Sequence, residues 1–291
     1  MIKVNRPRRV PPSILSEDAT GELKRARQHF SCPATRSSRF VFKVYRSADV
    51  RDAINHAFGG KCAYCESRYI GAQPGDVEHY RPKGEVSYKV GSGAKARVRK
   101  RVGYYWLACD WDNLLASCYF CNRPTKGLLA DGSTTLTGKG SLFPLVDERT
   151  RARSRAALSR ERPLLIDPTR ESPARYLKFR EDGNVDPAVA TGPMFRRARA
   201  TIDILGLNRR GLVEDRLRHV TLSVLPFLER YKRLLDYRDR GIADPVCLRL
   251  ELDEVRSHLA EVCSDKETPF RALSRDVIAG RFAALGIPVP W

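Results

Sequence analysis

Lys61-Cys62-Ala63-Tyr64-Cys65-Glu66 and Cys118-Tyr119-Phe120-Cys121-Asn122-Arg123 are the two stretches on which the reading of this chain turns. Each holds a Cys-x-x-Cys knuckle, and two knuckles can supply the four thiolates of one tetrahedral zinc site. Between them run Val77-Glu78-His79-Tyr80-Arg81-Pro82-Lys83 and Trp111-Asp112-Asn113-Leu114-Leu115. An ion that pins both knuckles also pins this intervening loop, with its base-capable imidazole and metal-capable side chains. The separation of the pairs exceeds that of a simple zinc ribbon, and a lone knuckle has little specificity. Two pairs in a chain otherwise sparing of cysteine still favour a metal site over a redox dithiol, because neither pair sits at the strand-to-helix start of a βαβ pattern. The expected zinc ligands are Cys62, Cys65, Cys118 and Cys121. Cys32, Cys109, Cys247 and Cys263 read as free thiols of a reducing compartment.

The chain has 291 residues, 42% of them hydrophobic, enough for a sizeable core and one or two domains. Its formal net charge of +19 favours a polyanionic partner through phosphate neutralisation and counterion release. A ribosome or an acidic protein partner fits the same balance. No apolar stretch approaches the ~20 residues of a membrane span. The start, Met1-Ile2-Lys3-Val4-Asn5-Arg6-Pro7, lacks the apolar core of a signal peptide, so a cytoplasmic protein with no membrane partner is expected. Neither Gly91-Ser92-Gly93 nor Gly138-Lys139-Gly140-Ser141 fits the GxxxxGK[ST] phosphate loop, so this chain is not expected to hydrolyse nucleotides itself.

Local signals divide the chain into three. Residues 1–45 read as a basic, proline-containing arm with a short helix near Glu17–Phe30. Ser47 reads as the N-cap of a helix ending at Phe58, stopped by Gly59-Gly60, with Val50, Ile54 and Ala57 on one face. Val77 to Tyr80 and Gly103 to Ala108 are candidate strands of a hairpin, and Asn122 is expected to open a helix. Leu164-Leu165-Ile166-Asp167-Pro168 and Tyr176-Leu177-Lys178-Phe179 look like strands, with Asp182-Gly183 as a turn. The remainder of residues 149–291 is mainly helical. Leu217, Val220, Val224, Phe227, Tyr231 and Leu234 form one stripe, and Leu248, Leu252, Val255, Leu259 and Val262 another. Pro226 is expected to kink the first of these helices, and Thr268-Pro269 to cap a last one holding Phe270, Leu273, Val277 and Phe282. These stripes read as bundle core, with a partner-docking face as the alternative. His29, His56, His219 and His258 fall in helix-like patterns and read as structural or solvated. His79 differs by its neighbours.

Glu78-His79, then Asn113, then Asn122 with Lys126 just beyond, resemble the pattern of the HNH, or ββα-metal, nucleases. More narrowly, VEHYRPKG, YYWLACDWDNLLASCYFCNRPTKG and Leu142-Phe143-Pro144-Leu145 resemble the PtuB-type HNH subunits of Septu and retron-linked anti-phage systems. The resemblance covers residues 46–148 and, more weakly, Thr201 to Asn208. It implies an α+β chain whose residues 46–148 hold a ββα-metal HNH nuclease core with a four-cysteine zinc knuckle site, flanked by the mainly helical region. It also implies an ABC or SMC-like ATPase partner of the PtuA type and nucleic acid as substrate, DNA in preference to RNA.

The chemistry fits these residue types. Phosphodiester hydrolysis needs a deprotonated water in line with the leaving oxygen, and stabilisation of that oxygen. An imidazole takes the proton at neutral pH, so His79 is the expected general base. Glu78 and Asn122 offer hard oxygen donors for Mg²⁺ or Mn²⁺. The resemblance makes Asn113 a brace for the loop holding His79, and Lys126 is placed to meet a phosphate. Glu at the first motif position and Asn at the third leave few imidazole ligands, which favours hard cations there over zinc or nickel. Adjacent strand residues face opposite ways, so Glu78 and His79 serve together only where the strand bends or ends. Lys95, Arg97, Arg99, Lys100 and Arg101 form a basic insert, a solvated loop by default but, beside a nuclease site, a phosphate-contacting arm. The alternative of a different class is a zinc-stabilised binding or scaffolding subunit without activity.

Overall fold

Ser16 opens the first long helix, α2 (Glu17–Ser31), its hydroxyl accepting the Ala19 N–H at 3.2 Å; a single turn, α1 (Pro12–Leu15), precedes it. The computed structural model describes residues 1–71, 75–90, 97–242 and 244–289. The segment before α1 is packed rather than free. Arg6 donates to the Trp111 carbonyl at 2.7 Å and to the Leu114 carbonyl, with its guanidinium over the Trp111 ring.

Helix α3 (Ala48–Phe58) buries Val50, Ile54, Ala57 and Phe58, as its apolar spacing predicts. Ser47 stands at its N-cap position, but its hydroxyl donates to the Val44 carbonyl and makes no cap bond. At the other end Gly59 adopts φ 61°, and the turn delivers the chain directly into the first knuckle. A Cβ at Gly59 would lie 2.4 Å from the Lys266 carbonyl oxygen. Gly59→Ala is therefore expected to cost more than the ~1–2 kcal/mol of a left-handed L-residue alone, and a thermal melt beside wild type measures it.

Strand β1 (Asp76–His79) pairs antiparallel with β4 (Leu114–Ser117), His79 opposite Leu114 and Asp76 opposite Ser117. This corrects the expectation that Gly103–Ala108 is the partner strand. Those residues turn through a 3-10 segment at Tyr105–Leu107. Tyr104, Tyr105 and Trp106 are consecutive rings with separate partners: Tyr105 stacks on Phe30 and Tyr104 meets Phe143 edge-on. A strand would expose every second ring, whereas Leu114-Leu115-Ala116 is wholly buried and suits an interior strand. The four-residue helix α4 (Tyr119–Asn122) follows β4, and Asn122 closes it rather than opening it.

Three more antiparallel pairs surround this unit. Strands β2 (Glu85–Val90) and β3 (Arg97–Val102) form a ribbon, β5 (Thr125–Leu128) pairs with β6 (Thr134–Thr137), and β7 (Leu177–Phe179) pairs with β8 (Val185–Pro187) across the Asp182-Gly183 turn. Leu165–Pro168 is buried and Leu164, half-buried, donates its N–H to the Pro144 carbonyl at 3.0 Å, but the stretch makes no ladder. The Ile166 N–H goes to the Thr201 hydroxyl and the Pro168 carbonyl accepts from Val4, so side chains and the N-terminal segment take the place of a partner strand.

The C-terminal half is helical: α5 (Gly192–Leu205), α6 (Arg210–Ser223), α7 (Leu225–Asp239), α8 (Pro245–Ser264) and α9 (Arg271–Ala284). Pro226 divides rather than kinks the expected long helix. It stands in the first turn of α7, where its missing N–H costs nothing, and Val224 at φ −122° marks the break. Leu217 is consequently exposed while Val220, Tyr231 and Leu234 are buried. Thr268-Pro269 does not cap α9: the Thr268 hydroxyl donates to Asp265, and Phe270 at φ 54° leads into the helix. Leu248, Leu252, Val255, Leu259 and Val262 line the buried side of α8 as expected. One contiguous apolar cluster runs from Met1 to Phe282 and draws on all three stretches of the chain. Small antiparallel sheets with packed helices make the class α+β. Among the described residues no helix is long and apolar enough to cross a membrane.

Candidate active site and metal centre

The turn after α3 presents Cys62 and Cys65; Cys118 ends the run from β4, and Cys121 lies in α4. The second knuckle thus does sit at a strand-to-helix step, but β4 belongs to an antiparallel pair and not to a βαβ unit. The Ala63 N–H donates to the Ala116 carbonyl at 2.9 Å, holding the first knuckle on β4. All four cysteines are buried, and their sulfurs lie within 4.8 Å of one another. Cys65 and Cys118 Sγ are 3.7 Å apart. Four sulfurs ~2.3 Å from a tetrahedral ion stand about 3.8 Å from each other, so the cluster suits a soft ion such as zinc. Arg209, in the turn after α5, brings its guanidinium to Cys121 Sγ at 3.6 Å and Cys118 Sγ at 3.9 Å. A cation there offsets part of the charge of four thiolates. No sequence signal tied Arg209 to the knuckles.

A cleft of about 570 Å³ opens where β1 ends, and Asp76, Glu78, His79 and Asn122 all line it. His79 is the last residue of β1, the condition under which Glu78 and His79 reach one site. Its ring is 2% exposed and meets Tyr45 edge-on with centroids 4.6 Å apart. His79 Nε2 lies 2.9 Å from the Ala108 carbonyl oxygen. A carbonyl only accepts, so Nε2 carries the proton and Nδ1 keeps its lone pair. Lys83 Nζ stands 3.3 Å from that Nδ1, and above the Tyr45 ring. Burial, then the Lys83 charge, hold His79 well below the ordinary imidazole pKa, so the ring is neutral at neutral pH.

Asn113 makes a closed set of bonds around the loop after His79. Its Oδ1 accepts from the Arg81 N–H at 2.8 Å, and its Nδ2 donates to the Arg81 carbonyl at 3.0 Å and the Leu107 carbonyl at 3.2 Å. Arg6, bonded on either side of Asn113 to the carbonyls of Trp111 and Leu114, holds that segment in turn.

Glu78 is engaged by a residue set aside on sequence grounds. Lys139 is fully buried, donating to Glu78 Oε1 at 2.5 Å and to the His79 carbonyl at 2.8 Å. Gly138 makes this possible: at φ 100° it lies so close to the chain that a Cβ would fall 2.1 Å from the Arg123 carbonyl oxygen. Asp76 was also missed. It shares a strand face with Glu78, two residues on, a period-two signal legible in the sequence. Its carboxylate accepts from Asn122 Nδ2 at 2.9 Å and from Arg123. Two carboxylates and an amide oxygen, with room for water, fit a hard cation that takes few protein ligands and completes its shell with water and phosphate.

Lys126 does not join this cleft. It is exposed on β5 and lines a separate groove with Phe120 and Arg210. Lys95 lies outside the described residues. Arg97, Arg99, Lys100 and Arg101 are all exposed on β3, whose ribbon partner begins at Glu85 on the cleft rim. Arg101 and Arg151 each place a guanidinium 5.3 Å from the Tyr88 ring.

No protein-family model matches the chain. Against curated proteins it is 30% identical over 250 residues to the Septu protein PtuB of Bacillus mycoides (strain KBAB4), covering 82% of this chain and 76% of that protein. A shorter likeness, 31% over 161 residues, relates 55% of this chain to 19% of the Septu protein PtuA of the same strain. The first match spans both the knuckles and most of the helical half, and on it the chain belongs to the family of the Septu protein PtuB.

Proposed function

We propose that this protein is a metal-dependent HNH endonuclease that hydrolyses phosphodiester bonds of nucleic acid, DNA in preference to RNA, as the effector of an anti-phage defence pair with a PtuA-type ATPase. In this reading β1, β4 and α4 form a minimal ββα-metal core. The observation that carries it is His79: a buried neutral imidazole at a strand end, its Nε2–H fixed on Ala108 and its Nδ1 unprotonated beside Lys83, in a residue that lines one cleft with Asp76, Glu78 and Asn122.

His79 Nδ1 takes a proton from water, and the hydroxide attacks phosphorus in line with the leaving oxygen. Asn113 keeps the loop after His79 in place, and Lys139 holds both Glu78 and the His79 carbonyl. When bound, a Mg²⁺ or Mn²⁺ ion held by Glu78 and Asn122, with Asp76 adjoining, supplies positive charge to the leaving oxygen. Arg46, Arg51, Lys83 and Arg123 line the same cleft and favour a polyanion there, while the exposed arginines of β3 extend that basic surface along the ribbon. The membership in the PtuB family supports the defence role and the PtuA-type partner.

A second reading, a silent binding subunit, is favoured by one observation: Glu78 is already paired with the buried Lys139. Incubating plasmid DNA and total RNA with the zinc-loaded chain, in Mg²⁺, Mn²⁺ or EDTA, alone and with the PtuA-type subunit, separates the two. Cleavage of DNA that depends on the cation is expected. A folded protein that cuts neither nucleic acid under any of these conditions is the silent subunit.

A further inference from the structure

A second cavity, of about 540 Å³, is lined by the two residues that follow His79, Tyr80 and Arg81. Five arginines border it, Arg81, Arg162, Arg170, Arg196 and Arg197, against three carboxylates, Glu161, Asp167 and Glu171. The carboxylates do not cancel the arginines evenly. Glu161 is spent on Arg81 Nε (2.8 Å), the Tyr104 hydroxyl (2.6 Å) and the Ala152 N–H (2.8 Å), and Glu171 on Arg197 and the Tyr176 hydroxyl. Among the described residues the Arg81 guanidinium, lying over the Tyr80 and Phe143 rings, makes its hydrogen bond through Nε, which leaves its terminal nitrogens for a ligand. Arg162 and Arg196 are exposed, and among the described residues their guanidinium groups make no ion pair or hydrogen bond.

Two further features point to a ligand. Helix α5 begins at this cavity with Pro193 in its first turn. Its N-cap, Thr191, makes no side-chain bond, and no acidic residue lies in that turn. Such an end attracts an anion through its unpaired N–H groups and macrodipole. Asp167, also on the cavity lining, is 3% exposed. Its Oδ1 accepts from the Thr169 N–H and hydroxyl, whereas its Oδ2 has a 3.5 Å ion pair with Arg170 Nε and accepts no hydrogen bond among the described residues. Buried acceptors are normally matched by a donor.

We infer that this cavity binds a nucleoside phosphate. The phosphate groups meet Arg81, Arg162, Arg196 and the α5 N-terminus, and an amino or hydroxyl group of the base or sugar donates to Asp167 Oδ2. The volume falls in the range of small-ligand sites. A continuous nucleic-acid strand fits less well, because its further phosphates would meet the carboxylates of the floor.

Equilibrium dialysis of ATP and GTP against the full chain, in EDTA and low salt, tests this. Saturable binding at one site per chain is expected for at least one of the two. Arg162→Ala combined with Arg196→Ala removes two exposed charges and is expected to weaken it about tenfold or more, with melting temperature and zinc content unchanged. Asp167→Asn is expected to weaken the nucleotide while leaving inorganic phosphate as it was. Failure of wild type to bind either nucleotide up to millimolar concentration overturns the inference, as does binding indifferent to the arginine pair. Inorganic phosphate binding as tightly as the nucleotides reduces the cavity to a simple anion site. A single-stranded oligonucleotide that needs these arginines and is not displaced by ATP or GTP makes it a nucleic-acid surface instead.

Discussion

His79→Ala is expected to lower single-turnover DNA cleavage by about 10²–10⁴-fold, the range for loss of a positioned general base. The ring is 2% exposed against Tyr45, so its removal also leaves a cavity and some loss of stability. His79→Gln separates the two effects, since it fills the space and keeps a donor for Ala108 but offers no base. It is expected to be as inactive as the alanine variant and to melt closer to wild type. The pH dependence follows from burial and Lys83 lowering the His79 pKa well below 6.5. The neutral ring is the active form, so wild-type cleavage persists as pH falls past 6.5 and is lost only lower, at the folded pKa. Stability moves differently. The unfolded chain takes up this proton near 6.5 while the folded one does not, so the unfolded state binds more protons in between. His79 therefore makes the wild-type fold less stable as pH drops from 6.5 towards the folded pKa, and His79→Gln loses that component. A glutamine variant that cuts at the wild-type rate removes His79 from the chemistry altogether.

What could be read from the sequence was whatever declares itself by spacing. The knuckle cysteines stand at fixed intervals, and the structure brings all four sulfurs together. The α8 stripe has one period, and all five of its residues are buried. Gly59-Gly60 marks a helix end because left-handed backbone suits glycine. What failed was decided by packing at a distance. Tyr104-Tyr105-Trp106 looks like a strand, but its rings are divided among Phe143 and Phe30 on other segments, and the pairing with β1 falls to Leu114–Ser117. Lys139 looked like part of a poor phosphate loop. Only the fold shows it buried between Glu78 and the His79 carbonyl, because two glycines let the chain pass against Arg123 and Pro124. Arg209 lies far along the chain from the cysteines it faces, and no local pattern joins them.

The Glu78–Lys139 pair also limits what the cleft can be. An ammonium with no exposure, held at 2.5 Å by a carboxylate, is costly to leave alone: breaking such a pair from one side strands a buried charge. Glu78 is thus held by the fold whether or not a cation is present. Asp76, less buried and bonded to Asn122 and Arg123 near the surface, is the carboxylate freer to turn towards an incoming ion and phosphate.

Removal of zinc is expected to have the largest effect of all on the fold. Metal analysis is expected to find one zinc ion per chain, and a strong chelator under reducing conditions to abolish the cooperative melt together with any cleavage. Structural zinc contributes roughly 10–16 kcal/mol in zinc-finger peptides, comparable with the whole stability of ~5–15 kcal/mol of an ordinary domain. An ion at the four sulfurs would join the two knuckles directly to one another. The first knuckle follows α3 and meets β4 through the Ala63 to Ala116 bond and the 3.9 Å approach of Cys62 Sγ to the Ser117 hydroxyl, while the second links β4 to α4 and so to Asn122. Without the ion, four buried sulfurs within 4.8 Å either take up protons, with acceptors such as the Ser67 hydroxyl at 3.3 Å and the Leu205 carbonyl at 3.9 Å, or remain as crowded thiolates beside Arg209. Cys118→Ser is expected to reproduce the chelated state, whereas Cys32→Ser and Cys247→Ser, at exposed positions, leave metal content and melting unchanged. A chain that binds no zinc, or melts at the same temperature after chelation, requires the four cysteines to be held by their packing alone. Asp76 and His79 stand in register against Ser117 and Leu114 of β4, and β4 runs directly into Cys118, so loosening of the cysteine cluster is expected to reach the cleft through that strand.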